Sequence, residues 1–213
     1  MNDYDLIVIT DRALAAPRDV RAIVAAALAA GAPVIQLRDK TATARELFEQ
    51  AQSLLPLVRA RSARLFINDR LDVALLVRAD GVHLGPDDIP VAAARRIAPP
   101  DFLIGFSTDD VPAARAAERA GASYIGCGAV FGTTSKPEAA GERIGVDRLD
   151  AVARAVRIPV VGIGGITEGN IAAVGATAAA GAAVIAAVMH AHDPGAATRS
   201  LLSRFASSRA HVG

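Results

Sequence analysis

Short apolar runs separated by longer amphipathic stretches constrain the fold of this chain more than any other feature. Eight such runs recur along the 213 residues, at intervals of roughly 25 residues, a spacing typical of repeated βα units. The predicted strands span residues 6–9, 33–37, 64–67, 81–84, 102–106, 124–130, 159–163 and 183–188. Their apolar residues are consecutive rather than alternating, which indicates parallel strands that are buried on both faces.

The stretches between the runs carry the periodicity of amphipathic helices. Helices are predicted over residues 19–30, 42–61, 111–120 and 146–156, with a short one within 71–78 and a last one over 196–207. Eight βα units predict an α/β fold, a single (β/α)8 TIM barrel, and a compact one because such barrels commonly take about 250 residues. A doubly wound open sheet is the alternative that a count of strands does not exclude. No linker divides the chain, so we expect one domain over residues 1–213 with a frayed C-terminal end.

The balance of charged residues narrows the range of partners. Lys and Arg total 23 and Asp and Glu total 22, a formal net charge of +1, which argues against nucleic acid or an anionic membrane as the main partner. Cys127 is the only cysteine, so an internal disulfide and a cysteine-rich zinc site are excluded and a cytoplasmic location is expected. No signal peptide is predicted. Residues 172–189 are uncharged but mostly Ala and Gly, and we interpret them as a helix and a strand meeting at a turn.

Polar residues are concentrated where the predicted strands end, which is where a (β/α)8 barrel places its chemistry. Three cations in this set, Arg38, Lys40 and Lys136, accompany two carboxylates, Asp69 and Asp88. Arginine and lysine bind phosphate oxygens, and Mg²⁺ takes one or two carboxylates together with water and phosphate oxygens. The set therefore predicts a diphosphate bound with Mg²⁺. Taken alone, each cation can instead be ordinary surface charge, and each of the two carboxylates can instead be a helix cap or a partner in a salt bridge.

Other residues near the predicted strand ends carry weaker signals. Gly164 and Gly165 can present backbone N–H groups to a phosphate after the seventh strand, or they can serve tight packing alone. A hydrogen-bonded structural role fits His83 better than ligand binding, and Cys127 reads as a small buried hydrophobe. No serine nucleophile elbow is present, so hydrolase chemistry is poorly supported.

An ordered set of motifs covers nearly the whole chain. The motifs are Ile9-Thr10-Asp11, Gln36-Leu37-Arg38-Asp39-Lys40, Asn68-Asp69-Arg70, Ala79-Asp80-Gly81-Val82-His83-Leu84-Gly85 with Asp88, Gly105-Phe106-Ser107, Thr133-Thr134-Ser135-Lys136 and Ile163-Gly164-Gly165-Ile166. Each motif is weak alone, but together and in this order they resemble the thiamine-phosphate synthase family.

The resemblance implies a transferase that joins hydroxymethylpyrimidine diphosphate to a thiazole phosphate by a dissociative, Mg²⁺-assisted substitution, giving thiamine phosphate and diphosphate. It implies that the pyrimidine diphosphate is held by Gln36, Leu37, Arg38, Asp39, Lys40, Asn68, Ser107 and Lys136. The residues implied for the thiazole phosphate are Thr133, Thr134, Ser135, Gly165, Ile185 and Ala186. Asp69 and Asp88 are implied as Mg²⁺ ligands, and the catalytic residues expected are Arg38, Lys40, Ser107 and Lys136.

Several positions depart from the family pattern. Asp39 stands where Glu is usual, Pro86 where Gln is usual, Asp109 where a His often follows the serine, and Ala186 where Ser is common. The missing histidine leaves Ser107 without an evident base, and Ala186 offers only its backbone. The alternatives are a thiazole tautomerase of the same superfamily, a non-catalytic phosphate-binding barrel, and a sugar-phosphate isomerase, which would require an acid–base pair that is not evident. The oligomeric state is left open, with a homodimer among the possibilities.

Overall fold

A closed barrel of eight parallel strands forms the centre of the computed structural model, which describes residues 4–132 and 143–209. The strands are β1 (Leu6–Ile9), β2 (Val34–Leu37), β3 (Arg64–Asn68), β4 (Gly81–Leu84), β5 (Leu103–Ser107), β6 (Tyr124–Cys127), β7 (Val160–Ile163) and β8 (Gly181–Val184). Each strand pairs with its sequence neighbours, and β8 pairs with β1. The predicted (β/α)8 barrel is therefore confirmed, and the doubly wound sheet is excluded.

Helices surround the barrel and follow the strands in chain order. Those in the described ranges are α1 (Arg12–Ala15), α2 (Val20–Ala29), α3 (Ala44–Arg59), α4 (Leu71–Val77), α5 (Val91–Ile97), α6 (Val111–Arg119), α7 (Gly145–Ala155), α8 (Ile171–Gly175), α9 (Ala186–Met189) and α10 (Pro194–Arg209). Across residues 4–132 and 143–209, no helix has both the length and the apolar character needed to cross a membrane. The expected fraying of the C-terminal end falls largely on residues 210–213, which lie outside the described residues.

Helix caps set where the loops at the carboxyl ends of the strands finish. The carboxylate of Asp11 accepts a hydrogen bond from the N–H of Leu14 at the start of α1. Thr43 and Glu46 form a reciprocal capping box at the start of α3. Such caps satisfy backbone donors that have no partner within the helix, each stabilising the helix by about 1 kcal/mol. The loops between β1 and α1 and between β2 and α3 therefore have defined ends.

Aromatic rings opposite glycines fill the barrel interior. Phe66 and Tyr124 are fully buried, with ring centroids 5.5 Å apart. A Cβ on Gly81 would lie 2.2 Å from the Phe66 ring, and one on Gly105 would lie 2.3 Å from the Tyr124 ring. Only glycine therefore leaves room for these rings. The Tyr124 hydroxyl contacts His83, so this aromatic layer lies directly against the polar carboxyl end of the barrel.

Two predicted strands end at least three residues earlier in the structure. The eighth was predicted over residues 183–188, but β8 ends at Val184 and residues 186–189 form α9. Both segments are apolar, β8 is buried throughout and α9 buries Val188 and Met189, so hydrophobicity alone could not separate a strand from a short helix. The sixth was predicted to reach residue 130, but β6 ends at Cys127. Val130 instead donates a hydrogen bond from a loop to the carbonyl of Ile163.

Candidate active site

A cavity of about 680 Å³ opens at the carboxyl ends of the strands. Its walls come from segments that follow β2 through β8, as expected for the functional end of a (β/α)8 barrel. The predicted site residues that line it are Arg38, Lys40, Asn68, Asp69, Asp88, Ser107, Gly165, Ile185 and Ala186. Residues that are widely separated in sequence therefore line the same cavity.

Among the described residues that line the cavity, Arg38 is more enclosed than Lys40. Its side chain is only 9% exposed, and its Nη1 lies 3.3 Å from Oδ2 of Asp11. Its Nε is buried and has no hydrogen-bond partner among the residues that the structure describes. A buried donor left unsatisfied costs about 1–3 kcal/mol. Because Arg38 also lines the cavity, its guanidinium is suited to binding an anionic ligand such as a phosphate group.

Lys40 lies at the cavity rim and forms an ion pair with Asp69. Its Nζ is 2.6 Å from Oδ2 of Asp69, and its side chain is 53% exposed. Asp69 has a left-handed backbone, with φ of 62°, and its N–H donates to the carbonyl of His83. An ion pair this exposed contributes only about 0–1 kcal/mol. Lys40 can therefore exchange this carboxylate for a phosphate oxygen at little cost.

Asp88 lies against Asp69 across the cavity mouth. Partial burial raises the pKa of Asp88, and contact with the Asp69 carboxyl raises it further, although the N–H of Gly85 hydrogen-bonds to Asp88 at 2.6 Å and acts in the opposite direction. Two adjacent carboxylates repel each other when both are charged, and a divalent cation between them removes that repulsion. The pair is therefore suited to binding a divalent cation.

The chemistry of this donor set fits Mg²⁺. In the described part of the chain, no group of three or more His, Cys, Asp or Glu residues could hold a metal ion. Mg²⁺ does not need such a group, because it usually keeps several waters and takes one or two carboxylates together with phosphate oxygens. Asp69 and Asp88 match that requirement, with Arg38 and Lys40 lining the same cavity.

A chain of hydrogen bonds runs from the cavity wall into the barrel. Nε2 of His83 is 2.8 Å from Oγ of Ser107, and Nδ1 is 2.7 Å from the hydroxyl of Tyr124. Burial and nearby Tyr4 raise the pKa of Tyr124, and a side-chain hydrogen bond with Gln36 acts in the opposite direction. The phenol therefore stays protonated, and Ser107 is held by a fixed imidazole.

His83 corrects the expectation that Ser107 has no base beside it. Asp109 does stand where the family often has a histidine, but an imidazole reaches Ser107 from the neighbouring strand β4. The hydrogen-bonded role expected of His83 is confirmed, and His83 also lines the cavity. Parallel pairing was the available signal, because His83 is in register with Gly105, two residues before Ser107. Residues two apart on a strand share a face.

The far wall of the cavity is formed by backbone-rich segments after β7 and β8. Gly164 and Gly165 have left-handed backbones, with φ of 99° and 63°. A Cβ on Gly165 would lie 2.7 Å from the carbonyl oxygen of Gly132. Close packing therefore requires glycine here, and both glycines also line the cavity. Ile185 and Ala186 line the cavity where β8 gives way to α9.

Comparison with known proteins assigns this barrel to a family. The profile of the thiamine monophosphate synthase family matches residues 6–188. The chain belongs to the thiamine monophosphate synthase family. It is 50% identical over 209 residues to a thiamine-phosphate synthase of Roseiflexus sp. (strain RS-1), covering 97% of this chain and 88% of that protein. It is 47% identical over 211 residues to one of Haloarcula marismortui, covering 98% and 100%.

A solved structure of the same family has the same barrel. The thiamine phosphate pyrophosphorylase of Pyrococcus furiosus superposes with a TM-score of 0.89 and 42% sequence identity. The alignment covers 97% of this chain and 98% of that one. Likeness to the thiamine monophosphate synthase family therefore extends over essentially the whole fold as well as the sequence.

The remaining residues implied by the family fall into separate groups. Gln36 and Leu37 are buried in β2 and do not line the cavity. Gln36 is connected to the site by its side-chain hydrogen bond with Tyr124, whose hydroxyl contacts His83. Pro86 and Asp109, which depart from the family pattern, both line the cavity. The implied residues that lie outside the described residues are Thr133, Thr134, Ser135 and Lys136.

Asp39 was expected to hold the pyrimidine diphosphate, but the structure directs its carboxylate into the loop between β2 and α3. Oδ1 accepts hydrogen bonds from the backbone N–H and the hydroxyl of Thr41 and from the N–H of Ala42. Oδ2 accepts from the amide of Gln50 and lies 3.3 Å from Nε of Arg12. Asp39 therefore stabilises the loop that carries Lys40 rather than facing the cavity.

We expect Asp39→Asn to lower the free energy of unfolding at neutral pH by about 1–2 kcal/mol, because bonds to a charged acceptor are lost. Burial opposes ionisation, but the hydrogen bonds from Thr41 and Gln50 outweigh it and lower the pKa of Asp39. The stabilisation is thus present above the pKa of the unfolded chain, near 3.9, and is lost as the pH falls through the lower folded value. Urea titrations at pH 7 and pH 3 measure the difference.

Asp72→Asn is the matched control for Asp39→Asn. Asp72 forms an exposed ion pair with Arg70 on the surface of α4, and such pairs contribute about 0–1 kcal/mol. Equal losses of stability in the two variants at pH 7 would contradict the loop-stabilising role of Asp39.

Proposed function

We propose that this chain is a transferase of thiamine biosynthesis, a thiamine-phosphate synthase. It joins hydroxymethylpyrimidine diphosphate to a thiazole phosphate and releases diphosphate. The observation that carries the proposal is the meeting of Arg38 and Lys40 with the Asp69–Asp88 pair at one cavity mouth. Membership of the family and the names of its close relatives support it.

The proposed reaction develops negative charge on its leaving group, and the cavity is lined by cations that can stabilise it. The C–O bond between the pyrimidine methylene carbon and diphosphate breaks, and its electron pair leaves with the diphosphate oxygen. The thiazole nitrogen then donates its lone pair to that carbon and forms the C–N bond. Negative charge grows on the leaving group, and preorganised cations stabilise such charge most effectively in an enclosed site. Arg38 and Lys40 both line the cavity and would supply this stabilisation. No general base is required, because the attacking nitrogen already carries its lone pair.

Mg²⁺ is the cofactor we propose, with Asp69 and Asp88 as its protein ligands. When bound, the ion would neutralise charge on the diphosphate oxygens. Lys40 already contacts Asp69, so it lies where it can bind both the carboxylate and a phosphate oxygen. Lys136 is proposed as a further cation for the same group.

The proposed substrate contacts divide between the two sides of the cavity. Asn68 and Ser107 would hydrogen-bond the pyrimidine, with Ser107 oriented by His83. Gln36 would act through Tyr124, and Leu37 would contribute its backbone only. The thiazole phosphate would be held by Gly165, Ile185 and Ala186 together with Thr133, Thr134 and Ser135. Ala186 lacks a hydroxyl, so its contact must come from the backbone N–H.

The deciding experiment supplies both substrates with and without Mg²⁺ and follows the release of diphosphate. Diphosphate release that needs both substrates and the metal supports the proposal. A thiazole tautomerase would rearrange the thiazole phosphate without releasing diphosphate, and a binding barrel would take up ligand without turnover. Reactions that lack one substrate are the controls for hydrolysis of the pyrimidine diphosphate alone.

We further propose a cytoplasmic location and small-molecule substrates as the partners, without nucleic acid or membrane. The near-neutral net charge supports this view. A homodimer stays a prediction, and light scattering of the purified chain measures it directly.

A further inference from the structure

We infer that Thr10 and Asp11, at the end of β1, are positioning residues that hold Arg38 in the orientation that binds diphosphate. Neither side chain lines the cavity, so each would act through Arg38. The inference deepens the proposed function and rests on it for the identity of the anion.

Thr10 fixes the backbone of Arg38 at the point where the ladder between β1 and β2 ends. The ladder finishes with the N–H of Thr10 donating to the carbonyl of Gln36 at 2.9 Å. The Thr10 hydroxyl then accepts from the N–H of Arg38 at 2.9 Å and donates to the carbonyl of Arg38 at 3.1 Å. Thr10 is only 1% exposed. One side chain therefore satisfies both backbone groups of Arg38, and removing its hydroxyl would leave both of them short of a partner.

Asp11 fixes one end of the Arg38 guanidinium. Its Oδ2 lies 3.3 Å from Nη1 of Arg38, and its Oδ1 accepts from the N–H of Leu14. The cap therefore limits the rotation of the carboxylate that faces Arg38. The next residues pair with the opposite charge order, because Arg12 lies 3.3 Å from Asp39. These crossed ion pairs connect the segment after β1 with the loop after β2.

This anchoring restricts the movement of Arg38. Its backbone and Nη1 are held by Thr10 and Asp11, directly after β1, whereas the buried Nε has no partner in the described ranges. Held in this way, the guanidinium loses little conformational freedom when an anion binds, and preorganisation of that kind increases affinity. An arginine free to rotate would lose that advantage while keeping its charge.

The test compares Thr10→Val with Thr10→Ser. Valine has nearly the shape of threonine but lacks the hydroxyl, whereas serine keeps it. With Mg²⁺ present, we expect Thr10→Val to weaken the binding of inorganic diphosphate roughly tenfold, as measured by calorimetry. Thr10→Ser should retain most of the wild-type affinity. The KM for the pyrimidine diphosphate should rise while that for the thiazole phosphate stays unchanged, a split that general destabilisation would not produce. Thr198→Val is the control, because that buried hydroxyl bonds the carbonyl of Pro194 in α10, remote from the site.

A double-mutant cycle tests whether Thr10 acts through Arg38. In an Arg38→Gln background, Thr10→Val should change diphosphate binding by less than about twofold. An equal loss in both backgrounds would overturn the inference, as would wild-type binding in Thr10→Val. If Thr10→Val does not fold, Asp11→Asn carries the same cycle, because asparagine keeps the cap on Leu14 while removing the charge that faces Arg38. Because the probe is inorganic diphosphate, a wild-type chain without synthase activity would refute the proposed function and still leave this inference testable.

Discussion

Asp69→Asn is expected to raise the Mg²⁺ concentration needed for half-maximal activity by about 10–100-fold. It should also lower kcat/KM at saturating Mg²⁺ by about 10²–10³-fold, the usual cost of removing one group that stabilises transition-state charge. Asparagine is the substitution of choice because Asp69 has a φ of 62°, a backbone conformation that asparagine adopts more readily than alanine. The variant therefore changes the charge of the site without straining the turn after β3.

Direct binding of Mn²⁺ in place of Mg²⁺, followed by electron paramagnetic resonance, separates metal affinity from turnover in Asp69→Asn. Removing the Asp69 charge also removes a cause of the raised pKa of Asp88, so that pKa should fall. Asp72→Asn, on the exposed surface of α4, serves as the control and should bind Mn²⁺ as the wild type does. An unchanged Mn²⁺ affinity in Asp69→Asn would remove Asp69 from the metal site.

The positions of the strands were predictable because buried parallel strands leave a clear mark in the sequence. A continuous apolar run bounded by polar residues identified β1 and β4 to the residue. The same signal failed at residues 183–188, where a buried strand continues into a half-buried apolar helix without a polar residue between them. Local hydrophobicity reports burial, whereas the change from strand to helix depends on the tertiary contacts of the barrel end.

The chemistry of the site was predictable where residue type and strand end coincide, and less so where orientation decides. Arg38 and Asp88 follow their strands and do line the cavity. Asp39 lies between two cavity-lining residues, yet its carboxylate turns into its own loop because Thr41, Ala42 and Gln50 supply donors there. Nothing in a linear motif states which way such a side chain points. The contact between His83 and Ser107 was likewise hidden, because it depends on the register of neighbouring strands.

Arg38→Lys is expected to lower kcat/KM for the pyrimidine diphosphate by about 10²-fold even though the positive charge is kept. Lysine offers one compact charge and cannot reproduce the planar array of guanidinium donors that Asp11 and a phosphate would share. The site is also enclosed, so an ammonium group would lose hydration without gaining the matching hydrogen bonds. Steady-state kinetics with the pyrimidine diphosphate varied at saturating thiazole phosphate measures this loss.

Arg12→Lys is the matched control for Arg38→Lys, because the two arginines belong to the same crossed ion pairs. The Arg12 side chain is 58% exposed and pairs with Asp39 away from the cavity, so kcat/KM should stay within about threefold of the wild type. Arg38→Gln should lower kcat/KM at least as much as Arg38→Lys does, because it loses both the charge and the planar array of guanidinium donors. If Arg38→Lys instead keeps nearly full activity while Arg38→Gln is inactive, charge alone is sufficient at this position. The anchoring of Arg38 by Thr10 and Asp11 would then have no catalytic consequence.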